Sequence, residues 1–259
     1  MNTNGNTYTV LYTALIVAVV AAILAFASQK LKPMQNANIK AETISQMLNA
    51  AQFETEGLNN QQKLAKYAEE IQEAFTVDAN GAKVADLSVD VNNIELVDNL
   101  KPINKAIKAG SKDVTLPVYK FKNGSTVVPV YGAGLWGPIW GYVAVESDGK
   151  TLAGAYFDHE SETPGLGAKI KDEPWFREQF VGKKAAFGQS PVFAIVKGGA
   201  PEGQENAVDA ITGATMTSKG LDEAINVWLN AYAPYFGSAS VEEPATAEEN
   251  VEPVENVEE

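Results

Sequence analysis

A run of 20 residues without a single charge, "YTVLYTALIVAVVAAILAFA" at positions 8–27, sets the tightest limit on what this chain can fold into. As a helix rising about 1.5 Å per residue it is about 30 Å long, the thickness of a bilayer's hydrocarbon core. The expectation is a transmembrane helix over 8–27, with residues 1–7 as a short N-terminus. A cleaved signal peptide opens on Lys or Arg and has a shorter apolar centre, and neither holds here. Lys30 and Lys32 follow the run and residues 1–7 carry no basic side chain, so charge alone leans toward a cytoplasmic C-terminal domain.

Beyond Pro33 the pattern is that of a soluble α+β domain, taken here as residues 28–237. Apolar spacing predicts helices over 39–53 (Ile44, Met47, Leu48 and Ala51 on one face) and over 61–75 (Leu64, Tyr67, Ala68 and Ile71). In "PVYKFKNGSTVVPVYG" the aromatic residues Tyr119 and Phe121 alternate with Lys120 and Lys122, and Asn123-Gly124 is a two-residue hairpin turn. "WGYVAVESDGKTLAGAYF" repeats the scheme around Asp148-Gly149, so an antiparallel-rich sheet flanked by helices is expected. A strand is predicted over 192–197. A final helix carries Leu221, Ala224, Ile225, Trp228, Leu229 and Tyr232 on one stripe, packs on the sheet and stops at Pro234. Residues 238–259 form an acidic tail expected to be disordered.

Charge and composition remove several function classes. Eight glutamates fall in residues 241–259, which leaves −5 of the formal −13 on everything else. Phosphate-backbone binding needs clustered Lys and Arg, so nucleic acid is not an expected partner. With no cysteine and one histidine, His159, the chain cannot by itself hold an iron–sulfur cluster, a thiolate zinc site or a multi-histidine metal site. No metal is expected, and any redox chemistry must come from an organic cofactor. His159 reads as a hydrogen-bonded structural residue.

Three glycine-rich stretches need weighing. Gly132, Gly134 and Gly137 match G-x-G-x-x-G, but Pro138 and a β-rich run follow where a dinucleotide fold needs a helix, so the stretch reads as a bend between strands. The 213–219 segment has Ser218, not glycine, before Lys219, which rules out a P-loop. "HESETPGLGAK" from His159 is irregular because of Pro164, Gly165 and Gly167. It reads either as a plain connection or as a clamp on a flavin or nucleotide, with Glu162 and Thr163 as polar contacts and Leu166 against a ring.

The 213–219 segment belongs to a longer stretch, "DAITGATMTSKG", residues 209–220. Small residues ahead of a helix leave its first turn open, where unpaired N–H groups attract anions; equally, Thr217 or Ser218 could be an ordinary N-cap. With "GLWG", "HESETPGLGAK" and "IVKGGAP" in that order, the chain from the apolar run to about Tyr232 resembles the FMN-binding domain family, and within it the C-subunit family of sodium-translocating NADH:quinone oxidoreductases. The G-subunit family of Rnf complexes, part of a ferredoxin:NAD oxidoreductase, shares the flavin motif and is the alternative. A tethered binding module without redox chemistry is another.

The resemblance implies one FMN per chain, joined through a phosphoester to Thr215 by a separate flavin transferase. Thr212, Gly213, Ala214 and Thr217 complete the motif, and Asp209 belongs to the signal the transferase reads. It also implies that Glu162, Thr163, Gly165, Leu166, Gly167 and Lys197 lie near the flavin, that Trp136 packs beside it, and that Lys197 steadies negative charge on the reduced ring. No residue is expected to carry out acid–base or nucleophilic catalysis. Implied partners are the membrane and the other subunits of the complex. The implied location is the bacterial cytoplasmic membrane with the domain on the periplasmic side, against the lean of Lys30 and Lys32.

Overall fold

The computed structural model describes residues 5–91 and 100–239, so residues 240–259 of the acidic tail lie outside the described residues, while 238 and 239 belong to the last helix. The chain opens with α1 (Asn6–Ala50), a single helix of 45 residues that contains the whole apolar run. Residues 9–27 of that run are exposed, whereas Ala41, Ile44, Met47 and Leu48 of the last turns are fully buried. Among the described residues α1 is the one helix long and apolar enough to cross a membrane. Pro33 does not interrupt it. A proline forfeits one intrahelical bond, here to the Gln29 carbonyl, and on an exposed helix water can satisfy that group.

The helix expected over 61–75 is shorter. α2 (Asn60–Glu70) is closed at its start by a capping box, Asn59 Oδ1 accepting from Gln62 N–H at 3.0 Å and Gln62 Oε1 from Asn59 N–H at 2.9 Å. Residues from Ile71 onward form β1 (Ile71–Val77) instead. Ile71 continues the helical stripe of Tyr67, but the Phe75-Thr76-Val77 run suits a pleated surface, and pairing with a neighbouring strand decides the outcome.

β2 (Lys83–Asp86), α3 (Leu100–Lys108), β3 (Leu116–Phe121), β4 (Thr126–Ala133), β5 (Pro138–Val145) and β6 (Leu152–His159) follow, and the strands make one antiparallel sheet in the order β2-β1-β3-β4-β5-β6. Both expected hairpin turns are present: Asn123-Gly124 joins β3 to β4 and Asp148-Gly149 joins β5 to β6, with Gly124 and Gly149 at positive φ. Successive side chains of a strand point to opposite faces, and both faces here are covered. Tyr119, Phe121, Val127 and Tyr142 join α1 and α2 in one core; Val118, Val128, Val130 and Val143 join the final helix in a second, larger core.

α4 (Lys169–Asp172) and α5 (Pro174–Glu178) pack beside β6, and a two-stranded parallel pair, β7 (Ala194–Val196) and β8 (Ala207–Asp209), leads to α6 (Thr215–Ala239). The predicted stripe of α6 is its buried face: Leu221, Ala224, Ile225, Trp228, Leu229 and Tyr232 are each at most 2% exposed. Each large apolar side chain so buried contributes about 1.5–3 kcal/mol. Two polar tips fix the helix in register. Trp228 Nε1–H donates to Tyr131 O at 2.9 Å and Asn104 Oδ1 at 3.0 Å, and the Tyr232 hydroxyl donates to Pro117 O at 2.6 Å. The expected stop at Pro234 is not observed, since α6 runs on to Ala239. Here too one lost bond is outweighed, because Tyr235 and Phe236 beyond it pack into the core.

Glycines let α6 approach β4 closely at its start. A Cβ at Gly132 would stand 2.6 Å from Ala224 Cβ, and one at Gly220 would collide with the Ala133 carbonyl oxygen. The glycine-rich stretch is therefore a bend between β4 and β5, closed by Gly134 N–H to Gly137 O at 2.8 Å, against which the helix beds down. We expect Gly220→Ala, a change that raises helix propensity, to destabilise the fold by about 1–3 kcal/mol through overpacking, read as a fall in Tm.

Candidate functional site

The residues of the 209–220 stretch meet at the C-terminal ends of the β7/β8 pair. β7 is hung from α6 by side chains: Asn226 Oδ1 accepts from Val192 N–H at 2.9 Å, and Asp222 Oδ1 accepts from Ile195 N–H at 2.7 Å. The chain then turns at Gly198 and Gly199, both at positive φ. Asp209 Oδ1 accepts from Ala200 N–H at 2.7 Å, and Ala210 N–H donates to Val196 O at 2.9 Å. These bonds set Lys197, at the end of β7, beside the turn that opens α6.

That turn is tight. Ala214 N–H donates to Ile211 O at 3.1 Å across Thr212 and Gly213. Gly213 has φ +84°, a conformation that favours glycine at the third turn position. α6 begins at Thr215, so Thr217 and Ser218 are inside its first turn and neither is the N-cap. Their hydroxyls serve elsewhere: Ser218 Oγ accepts from Ile211 N–H at 3.2 Å, and Thr217 Oγ1 donates to Glu162 Oε2 at 2.6 Å.

Thr212, Gly213 and Thr215 are exposed and line a cleft of about 460 Å³ together with Lys197, Lys219 and Asp222. Neither lysine has a hydrogen-bond or ion-pair partner among the described residues. Burial pushes the Asp222 carboxyl above its ordinary range, while the Ile195 N–H acts in the opposite sense. Three larger hollows, of about 670, 690 and 530 Å³, lie along α1 and contain none of the motif residues. The polar groups of the second are already engaged with one another: Gln46 Nε2 donates to Asp158 Oδ2 at 2.7 Å and Trp140 Nε1 to Gln46 Oε1 at 3.3 Å.

The 159–169 loop approaches the same helix start. Gly165 is at φ +74°, and Leu166 lies across the turn, its Cδ2 being 3.1 Å from where a Gly213 Cβ would stand. Thr163 is exposed on the surface of the loop. Leu166, Trp136 and Met216 are large apolar side chains left exposed, at 45%, 65% and 56%. Glu162 behaves differently from a surface contact. It is 4% exposed, and besides Thr217 it accepts from Trp136 N–H at 2.9 Å. A Cβ at Gly134 or at Gly167 would collide with its carboxylate, so both glycines make room for it. His159 is structural, its Nδ1 accepting from Glu162 N–H at 3.2 Å.

Of the residues singled out from sequence, the fold thus gathers Lys197, Thr212, Gly213 and Thr215 around one cleft. It sets Thr163, Gly165, Leu166 and Trp136 on neighbouring loops, and buries Ala214, Thr217, Gly167 and Glu162 beneath them. Sequence reasoning passed over Lys219, Asp222 and Asn226. The first stands four residues after Thr215, a helical spacing that would have flagged it.

The family model of the FMN-binding domain matches residues 134–230, which span the glycine bend, the 159–169 loop and most of α6. The C subunit of the Na(+)-translocating NADH-quinone reductase of Vibrio campbellii is 34% identical over 230 residues, covering 83% of this chain and 87% of the relative. This chain belongs to that C-subunit family. The family member from Haemophilus ducreyi is 32% identical over 225 residues, covering 83% and 86%. Among solved structures, the C subunit from Parabacteroides distasonis superposes with a TM-score of 0.66 at 34% identity, over 80% of this chain and 96% of that one. Shewanella oneidensis NqrC gives 0.63 at 29% identity, over 78% and 98%.

Asp222 provides a test of the cleft's electrostatics. Its folded pKa is raised, so the protonated form is favoured on folding, and stability is lost as pH rises from the unfolded value through the folded one. Asp222→Asn retains an Oδ1 acceptor for Ile195 and removes the cost of ionisation. In flavin-free protein its Tm should exceed that of the parent at pH 7, with the difference vanishing below about pH 4, the ordinary carboxylate range.

Proposed function

We propose that this chain is an electron-transfer subunit bearing FMN as a phosphoester on Thr215, anchored by residues 8–27 in a bacterial cytoplasmic membrane. In this reading it works with the other subunits of a sodium-translocating NADH:quinone oxidoreductase. The observation that carries the reading is an exposed threonine hydroxyl at the first residue of α6, opening on a cleft with two lysines that have no partner among the described residues, in a chain of the NADH-quinone reductase C-subunit family.

The residues fit the group at both of its ends. The first three N–H groups of a helix have no intrahelical acceptor, and with the dipole they favour a phosphoryl group at Thr215. Leu166, Met216 and Trp136 offer exposed apolar surface for a ring, and Gly213 and Gly165 present no side chain in its way. FMN supplies one- and two-electron transfer when bound. Lys197 places a cation in the cleft that favours negative charge on the ring. Thr212, Gly213 and Thr215 are open to a separate flavin transferase, for which Asp209 and the 212–217 segment form the recognition signal.

Produced together with a flavin transferase, the full chain should gain the mass of one FMN residue and a yellow colour that survives denaturation. Thr215→Val should abolish both, and a colourless wild-type product of unmodified mass would overturn the reading.

The domain is assigned to the periplasmic side, against the two lysines after the span. Because the chain has no cysteine, Lys150→Cys on the exposed β5–β6 turn gives it a unique thiol. In intact cells a membrane-impermeant maleimide should label it fully; protection until lysis would reverse the orientation.

A further inference from the structure

The first turn of α6 carries no acidic residue, and Lys219 follows as the fifth residue of the helix. Helical side chains lean toward the N-terminus, so Lys219 is directed back over a turn whose own partial charge is already positive. Lys197 adds a second cation to the same cleft. Ordinary helical partners for Lys219 exist in sequence, at three and four residues on, but both are committed. Asp222 accepts from Ile195 N–H at 2.7 Å, and Glu223 pairs with Lys108 at 2.7 Å. The cleft without a ligand therefore gathers two ammonium groups and a helix N-terminus around Thr215, with one half-buried carboxylate set against them. An arrangement of this kind is repulsive until an anion joins it.

We infer that Lys219 is the counter-charge of the phosphodiester on Thr215, a role distinct from that of Lys197 at the ring. The inference rests on the reading of Thr215 as the attachment point. Thr215 and Lys219 are four residues apart on one helical face and line one cleft, so the ammonium meets the phosphoryl oxygens without crossing the ring. Lys219 is a positioning residue in this scheme: it fixes the phosphate end and through it the seat of the ring.

A structural role alone would give Lys219→Gln the same sign in every background, whereas the inference requires the sign to invert. In full-length, detergent-solubilised Thr215→Val protein, which takes no flavin, adding Lys219→Gln should raise Tm by about 1–3 °C by relieving repulsion at the helix start. In flavin-loaded protein the same substitution should lower Tm by a similar amount, and Lys219→Arg should restore it. Shifts of the same sign in both backgrounds would overturn the assignment. The flavin midpoint potential separates the two lysines: Lys197→Gln should lower it, and Lys219→Gln should lower it less. A larger effect from Lys219 would move that side chain to the ring and equally defeat the inference. Absence of the FMN mass from wild-type protein would instead defeat the attachment reading, and this one with it.

Discussion

The close approach of α6 to β4 is the constraint on which the rest of the structure depends. Gly132 and Gly220 remove the two Cβ atoms that would hold helix and strand apart, and Trp228 and Tyr232 then tie the helix to the backbone of the sheet. Once these contacts form, the first turn of α6 has one place to go. Thr215 emerges beside the end of β7, and Asp222 and Asn226 on the same helix hold β7 in turn. The cleft is thus made largely by one helix and what hangs from it. Its geometry follows from the packing of that helix together with the turns at 197–199 and 210–213 that its walls are made of.

Glu162 does for the loops what the glycines do for the helix. Sunk between Gly134 and Gly167, its carboxylate joins the β4–β5 bend, the 159–169 loop and the helix start through two hydrogen bonds. Hydrogen bonds to an ionised group contribute about 1.5–3 kcal/mol each, and a buried carboxylate left without them is costly. The network extends further. Glu162 N–H reaches His159, whose own N–H donates to Asp158 Oδ1 at 2.8 Å, and Asp158 is bonded to Gln46 of α1 and to Lys171 at 2.9 Å. A continuous polar chain therefore links the N-terminal helix to the residue two positions from Thr215.

Much of this was legible in the residues. Both hairpin turns and the α6 stripe carry unambiguous turn chemistry or strong periodicity and formed where expected, and the apolar run is helical within the longer α1. Errors fell where local pattern and tertiary context compete. Ile71 fits the α2 stripe and a strand equally, and pairing with β3 settled it. Pro33 and Pro234 carry a local stop signal that exposure in one case and core packing in the other override. Within the site, residue types were readable but depth was not. Nothing in "HESETPGLGAK" distinguishes Glu162, buried, from Thr163, exposed; that difference arises from Gly134, far earlier in the chain. Thr217 looked like a cap for the same reason, since its carboxylate partner is distant in sequence.

The continuity of α1 has a mechanical meaning. The helix passes from its apolar run into the core without a hinge, and Ala27 and Ala41 are separated by about 21 Å of helical rise. If 8–27 lay in a lipid bilayer, as proposed, the folded body would stand off the surface on a helical post instead of trailing on a leash. A group carried on the domain would then keep a fixed altitude above the lipid.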